Sequence, residues 1–195
     1  MNEKLVMEYI IACTNLYGIV PIDQVAGIFN EQNEDMITPD ELNSLLQSGQ
    51  VRGKLEEHFV YADLDKFIAE AASEGDEKEE LEQAAAGKPY YVPAKEELLR
   101  FIDEEYIQET QEQLKLKSML IEDFGDELHA EEEVRELVFN LQVSGGDFMG
   151  EMSMFIAGLE LPVEKAERYI PVIVDVANTT RLWENRGHTT KELLP

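Results

Sequence analysis

Lysine and arginine are scarce in this sequence: sixteen in 195 residues, against forty-two aspartates and glutamates, for a net charge of −26 at pH 7. The sixteen are scattered, and none forms a run. Binding a phosphate backbone depends on cationic side chains displacing counterions, so this composition excludes direct nucleic-acid binding and argues against anionic membrane surfaces. Cysteine is nearly absent. Cys13 stands alone, which rules out an intrachain disulfide and a cysteine-based zinc site. It falls in the apolar stretch Tyr9-Ile10-Ile11-Ala12-Cys13, where a buried thiol behaving as a small hydrophobe is expected. No apolar run approaches the ~20 residues of a membrane span. The opening Met1-Asn2-Glu3-Lys4 has no basic region leading into a long apolar core, so a cytoplasmic location is expected.

What is present is an ordinary apolar share, 44%, enough for one domain or two small ones to bury a core without covalent support. The acidity is spread over the whole chain. Residues 1–88 hold 6 basic and 19 acidic side chains and residues 89–195 hold 10 and 23, so each part carries −13. A field of this size serves solubility, and it also attracts a basic partner or imitates a phosphate backbone.

Periodicity predicts a mainly α protein. Leu5, Val6, Tyr9, Ile10, Cys13, Leu16 and Tyr17 recur at helical spacing up to Gly18. Pro21 opens a second helix, and Thr38-Pro39-Asp40-Glu41 reads as the cap and first turn of a third that stops at Gly49. The pattern weakens from Val51 to Ala62, where His58-Phe59-Val60-Tyr61 looks like a short strand, and Leu64 to Ala72 resumes as helix. Three helices and a small β element suggest a winged-helix-like N-terminal domain over residues 1–86. It ends in an acidic exposed helix or linker at 70–82. After Gly87 and the extended Lys88-Pro89-Tyr90-Tyr91-Val92-Pro93, residues 87–195 read as an all-helical C-terminal domain. Its helices are expected at about 94–105, 106–123, 130–144, 147–159, 162–177 and 179–186. No repeat of solenoid length is visible.

Residues 30–41 partly match a calcium loop. Counted from Asn30, they place Asn30, Gln32 and Glu34 at the first three ligand positions and Glu41 at the twelfth. Asp35 stands where the loop's turn requires glycine, and Gln32 is long and neutral. A polar turn between two amphipathic helices, capped by Thr38, accounts for every residue, so no metal ligands and no cofactor are assigned. Catalytic signals are similarly thin. His58, His129 and His188 are far apart, and Asp126-x-x-His129 has no second copy of the kind a di-iron bundle needs. Ser144-Gly145-Gly146-Asp147 lacks the length and lysine of a phosphate-binding loop and reads as a helix stop followed by an N-cap. Phe148, Met149, Met152, Met154 and Phe155 read as core at helical spacing rather than as a binding face.

Three segments carry a resemblance: Leu16-Tyr17-Gly18 with the helix after it, Lys88 to Pro93, and Asn178 to Thr189. Together they resemble a group of uncharacterised bacterial proteins, mainly of Gram-positive type, several of which carry a SecA-type C-terminal zinc motif. That motif is lacking here, so the resemblance implies no zinc site and transfers no activity. The last segment also holds the sole tryptophan, and Arg181, Trp183, Arg186 and His188 are its candidate interaction residues. Docking of the segment on its own domain, with Arg181 paired to a carboxylate, is the preferred expectation. The functional expectation is a non-catalytic protein-binding or adaptor module with a protein partner of basic character. The alternative is a DNA mimic or anti-regulator that binds a basic nucleic-acid-binding protein. An enzyme with an acidic site is a third, and it would need His58 or His129 to converge with carboxylates in one pocket.

Overall fold

The helix Glu3–Tyr17 (α1) has six consecutive buried residues, Tyr9 to Thr14, so beyond its exposed first turn it is enclosed on every side. A helix without a polar face belongs in the centre of a core, and α1 is the spine of the computed structural model, which describes residues 2–73 and 77–194. Asn2 caps it, accepting from the Leu5 N–H, and Gly18 ends it at φ 72°. The burial of Cys13 is complete, and loss of solvation pushes its thiol pKa far up, as expected for an inert thiol.

Around α1 lie a short strand Ile19–Pro21 (β1), the helices Ile22–Gln32 (α2), Pro39–Leu46 (α3) and Gly49–Glu56 (α4), and the strands Val60–Asp63 (β2) and Lys66–Ala69 (β3). The strands make an antiparallel sheet in the order β1-β3-β2, with Ile68 opposite both Ile19 and Tyr61. The first core gathers α1 to α4 with Val20, Val60 and Phe67 from the sheet. It extends past Gly87 to take in Leu98 and Phe101. These two belong to the helix Lys95–Leu98 (α6) and the 3-10 turn Leu99–Ile102, which follow the acidic helix Glu77–Ala85 (α5).

The second core is built by Gln111–Phe124 (α7), Glu127–Val143 (α8), Phe148–Gly158 (α9) and Ile170–Thr179 (α11), with the single turn Val163–Ala166 (α10) linking the last two. The turn Thr190–Leu193 (α12) closes the order. Thr110 and Gln113 start α7 with a reciprocal cap, while Asp126 and Asp147 cap α8 and α9 through their carboxylates. No helix among the described residues is long and apolar enough to cross a membrane.

The mainly helical expectation holds, with several corrections. Lys66–Ala69 is a strand, although the stretch from Leu64 was expected to be helical: Phe67, Ile68 and Ala69 are buried in succession, as the middle strand of a sheet requires. A fourth helix, α4, fills the stretch where the pattern weakened. The predicted helix at 106–123 starts only at Gln111, and the one at 162–177 breaks between Ala166 and Ile170. The helix expected at 179–186 does not form, since Thr179 is the end of α11 and residues 180–186 are not α-helical. An isolated bridge pairs Arg181 with Thr189, and the chain turns between them through a 3-10 turn and the positive φ angles of Arg186 and Gly187. In α9 the core reading holds for Met152, which is buried, and for Phe148 and Phe155, which are half-buried against the second core, but not for Met149 and Met154, which are exposed.

Trp183 connects the two cores. Only 4% of it is exposed; its indole N–H donates to the Asn15 carbonyl at 2.9 Å and it packs with Ile68, Ala69, Ala72 and Leu81. Its ring lies over Gly18 so closely that a Cβ there would sit 2.5 Å from Cδ2. Gly18 is thus fixed by two independent constraints, a backbone angle that L-residues rarely adopt and the face of an indole ring. Replacing Gly18 with alanine is expected to destabilise the chain by at least about 3 kcal/mol. Gly125→Ala shares a positive φ but has open space around it, and should cost about 1 kcal/mol. Urea unfolding midpoints of the two variants measure the difference.

Candidate functional site

The C-terminal segment is docked, and its four predicted interaction residues come together with the two other segments singled out in the sequence. Arg181 reaches Glu192 through both terminal nitrogens, at 2.8 and 3.2 Å. It also donates to Gln108 and to the Gly187 carbonyl, and lies 3.6 Å over the Tyr91 ring. Arg186 donates to the Lys88 carbonyl at 2.7 Å and covers Tyr90, while Tyr91 N–H donates to the Arg186 carbonyl. The Tyr17 hydroxyl donates to the Tyr91 carbonyl, and Gly187 fits against the Tyr17 ring. His188 meets Tyr91 edge to face. Its Nδ1 is 3.3 Å from Glu192 but outside hydrogen-bond geometry, so neither ring nitrogen has a hydrogen-bond partner among the described residues. These contacts engage both guanidinium groups within the chain itself.

Residues 30–41 spend their oxygens locally. Asn30 closes the turn on Ile37, accepting from its N–H at 2.7 Å and donating to its carbonyl at 2.9 Å. Glu41 is the return half of a capping box with Thr38, and those hydrogen bonds hold its carboxyl below the usual range. Gln32 accepts from the Tyr9 hydroxyl and donates to the Pro93 carbonyl. Of the four calcium-loop positions, three therefore serve the turn, the cap and the core. Among the described residues no group of three His, Cys, Asp or Glu side chains is placed to hold a metal ion.

A concavity of about 770 Å³ lies elsewhere, between the end of the β2–β3 sheet, the segment at 104–107 and α8. Helix α8 has two working faces. Ala130, Val134, Leu137, Val138 and Leu141 enter the second core. Leu128, Glu132, Arg135, Phe139 and Gln142, spaced four and three residues apart, form a second stripe that lines the groove. That stripe runs about 21 Å at 1.5 Å per residue.

The floor is apolar and open. Phe59, Leu128 and Phe139 are 47%, 75% and 43% exposed, and all three line this groove with Ile107 and the edge of Trp183. Phe59 takes a positive φ of 56° at the turn between α4 and β2. Around the floor stand Glu70, Glu104, Glu105, Glu131, Glu132 and Glu136, against Arg135 as the sole lysine or arginine among the described lining residues. Glu131 is hydrogen-bonded to Lys117 at 2.9 Å, which holds its carboxyl pKa below the usual range.

His58 also lines the groove, so a histidine and carboxylates share one concavity. Among the described residues no hydrogen bond or ion pair joins His58 to a carboxylate. His129 faces Glu133 at 3.8 Å and Phe124, away from the lining residues. The groove was not visible as a site in the sequence. Its signal was the position of Leu128 and Phe139, two large apolar residues off the core stripe of α8.

Compared with protein-family models, curated proteins and solved structures, the chain matches none.

One titration follows from the docked segment. Burial opposes ionisation of Glu192, but hydrogen bonds from Arg181 and from the Thr189 N–H outweigh it and keep its pKa below the usual value. The carboxylate's contribution to stability is therefore complete above the unfolded pKa of about 4.3, and is lost as pH falls through the lower folded value. Glu192→Gln, which can still form the cap, should cost less than about 1 kcal/mol at pH 7 because the pair is partly solvated. Urea unfolding of both proteins between neutral and acid pH should show the difference vanish at the acid end.

Proposed function

We propose that this protein is a non-catalytic binding module that captures a basic, amphipathic helix of a protein partner in the groove beside α8. One observation carries the reading: the three large exposed apolar side chains of the groove share it with six glutamates. Singly exposed apolar residues are ordinary on any surface. Grouped along a helix-length channel with acids at the rim, they match the helix-in-groove mode, in which apolar anchors fill the floor and cations meet the edge. The occupant is about four turns long, from the length of the α8 stripe. A chain carrying −26 would also speed the encounter with such a segment.

The N-terminal part supplies one wall. We read it as winged-helix-like, on the support of the element order α1-β1-α2-α3-α4-β2-β3 and the strand order β1-β3-β2, with the β2–β3 hairpin in the place of a wing. In this reading it serves as a protein-contact scaffold, since α3 holds no lysine or arginine to meet a base edge. A cytoplasmic setting, with no membrane or nucleic-acid partner, accords with the same charge. Imitation of a phosphate backbone needs carboxylates alone, and the apolar floor favours the helix reading over it.

A fluorescent synthetic peptide of about four turns, with leucine on one face and lysine on the other, provides the test. It should bind with an affinity that weakens by about tenfold or more between about 0.05 M and about 0.5 M salt without vanishing. Phe139→Asp should weaken binding by about tenfold or more, because it places a charge on the floor and removes an anchor. Met149→Asp, on exposed α9, should leave it unchanged. Binding indifferent to Phe139→Asp and abolished by salt would instead favour a purely electrostatic mimic.

A further inference from the structure

We infer that Arg135 occupies the groove's own cation seat, so that a basic partner enters by displacing it from Glu105. This inference rests on the groove reading above and concerns how that site selects its occupant.

Arg135 lies midway along the exposed stripe of α8, one turn from Glu132 and one turn from Phe139. Its side chain is folded back onto a neighbouring segment. One terminal nitrogen donates both to the Glu105 carboxylate at 3.2 Å and to the Glu105 backbone carbonyl at 3.1 Å. Glu105 lines the groove on a different segment, thirty residues earlier in the chain, so the pair ties α8 to the 104–107 wall. Six glutamates and one guanidinium line the same channel, and this guanidinium is held where a ligand's lysine or arginine would be expected to go.

The pair is weakly held. Arg135 is 46% exposed and Glu105 76% exposed at the side chain, and solvated pairs of this kind exchange partners readily. An incoming cation can therefore take over the Glu105 carboxylate, leaving Arg135 free to turn toward solvent or toward neighbouring glutamates of α8. The consequence is selectivity. A partner with apolar anchors but no cation at this position must leave the Arg135–Glu105 pair in place, and meets a narrower channel. A partner with a cation there replaces one ion pair by another and gains the full floor.

Direct occupation and a general field effect make different predictions. Removing Arg135 strips a positive charge from an acidic groove, so any cationic ligand binds more tightly by simple electrostatics. If Arg135 blocks Glu105 specifically, the gain depends on Glu105 being present. The experiment is a double-mutant cycle on the full chain, read by fluorescence anisotropy with the Leu/Lys peptide, using wild type, Arg135→Gln, Glu105→Gln and the double variant. Arg135→Gln should tighten binding by about two- to fivefold. Glu105→Gln alone should change it little, because that carboxylate is already neutralised. In the Glu105→Gln background, the gain from Arg135→Gln should fall to less than about half of its size in wild type. Arg135→Ala repeats the cycle without the long amide side chain, and circular dichroism melts show that each variant is folded.

Equal gains in both backgrounds would overturn displacement and leave Arg135 as part of the general field. Weaker binding by Arg135→Gln would overturn it as well, and would make Arg135 a contact for the ligand or a prop for the wall. Failure of the peptide to bind any of the four proteins would instead sink the groove reading itself, and displacement with it.

Discussion

The contact of the Trp183 ring with Gly18 is the constraint on which the rest of this structure depends. It joins residues at opposite ends of the chain, and it sets the end of the spine helix against the segment that follows α11. Asn15 secures the joint from below: its carbonyl accepts from the indole while its side-chain amide donates to the Phe101 carbonyl. The tyrosines and arginines of 88–91 and 181–186 then fasten the same region from the other side. Because the indole is both a hydrogen-bond donor and a flat apolar plate, one side chain satisfies a buried carbonyl and fills the space over a glycine.

The groove is a consequence of that joint. Fixing residues 181–186 against α1 brings α8, from the second core, to face the sheet end of the first. The edge of Trp183 lies in the space between them. Neither half supplies the channel alone, as Phe59 and Glu70 come from one side and Leu128 and Phe139 from the other. A net charge of −26 works against such closure through self-repulsion. The joint meets this with well-partnered arginines and a buried tryptophan, while most carboxylates stay at the surface in water. Arg181 is the clearest case, with its guanidinium stacked on Tyr91 and paired to Glu192.

Local chemistry made parts of this legible in the sequence. The stop at Gly18, the Thr38 cap with its proline and acids, and the Asp147 cap after two glycines all depend on neighbours within four residues. The docked tail was legible in kind, through arginine and tryptophan in a chain with many carboxylates, but its shape was not. Residues 179–186 have a helix-compatible pattern, and partners far away in the chain, at Asn15, Lys88, Tyr91 and Gln108, hold them in a turn instead. The strands β1 and β3 are three and four residues long and too short to show alternation; tertiary pairing decides them. The groove is the least local feature. Glu131 and Glu132 read as a solvated run, and nothing along the chain says that Phe59 and Glu104 stand opposite them.

The central claim is that a basic helix binds in this groove rather than anywhere on a uniformly acidic surface, and zero-length crosslinking tests it most directly. Carbodiimide joins a ligand lysine to whichever carboxylate it touches, and the chain offers forty-two acidic side chains as reporters. With the Leu/Lys peptide bound, the account predicts crosslinks, mapped by mass spectrometry, concentrated on Glu70, Glu104, Glu105, Glu131, Glu132 and Glu136. Crosslinks spread over exposed carboxylates in proportion to their accessibility, or gathered on α5 or α9, would contradict it.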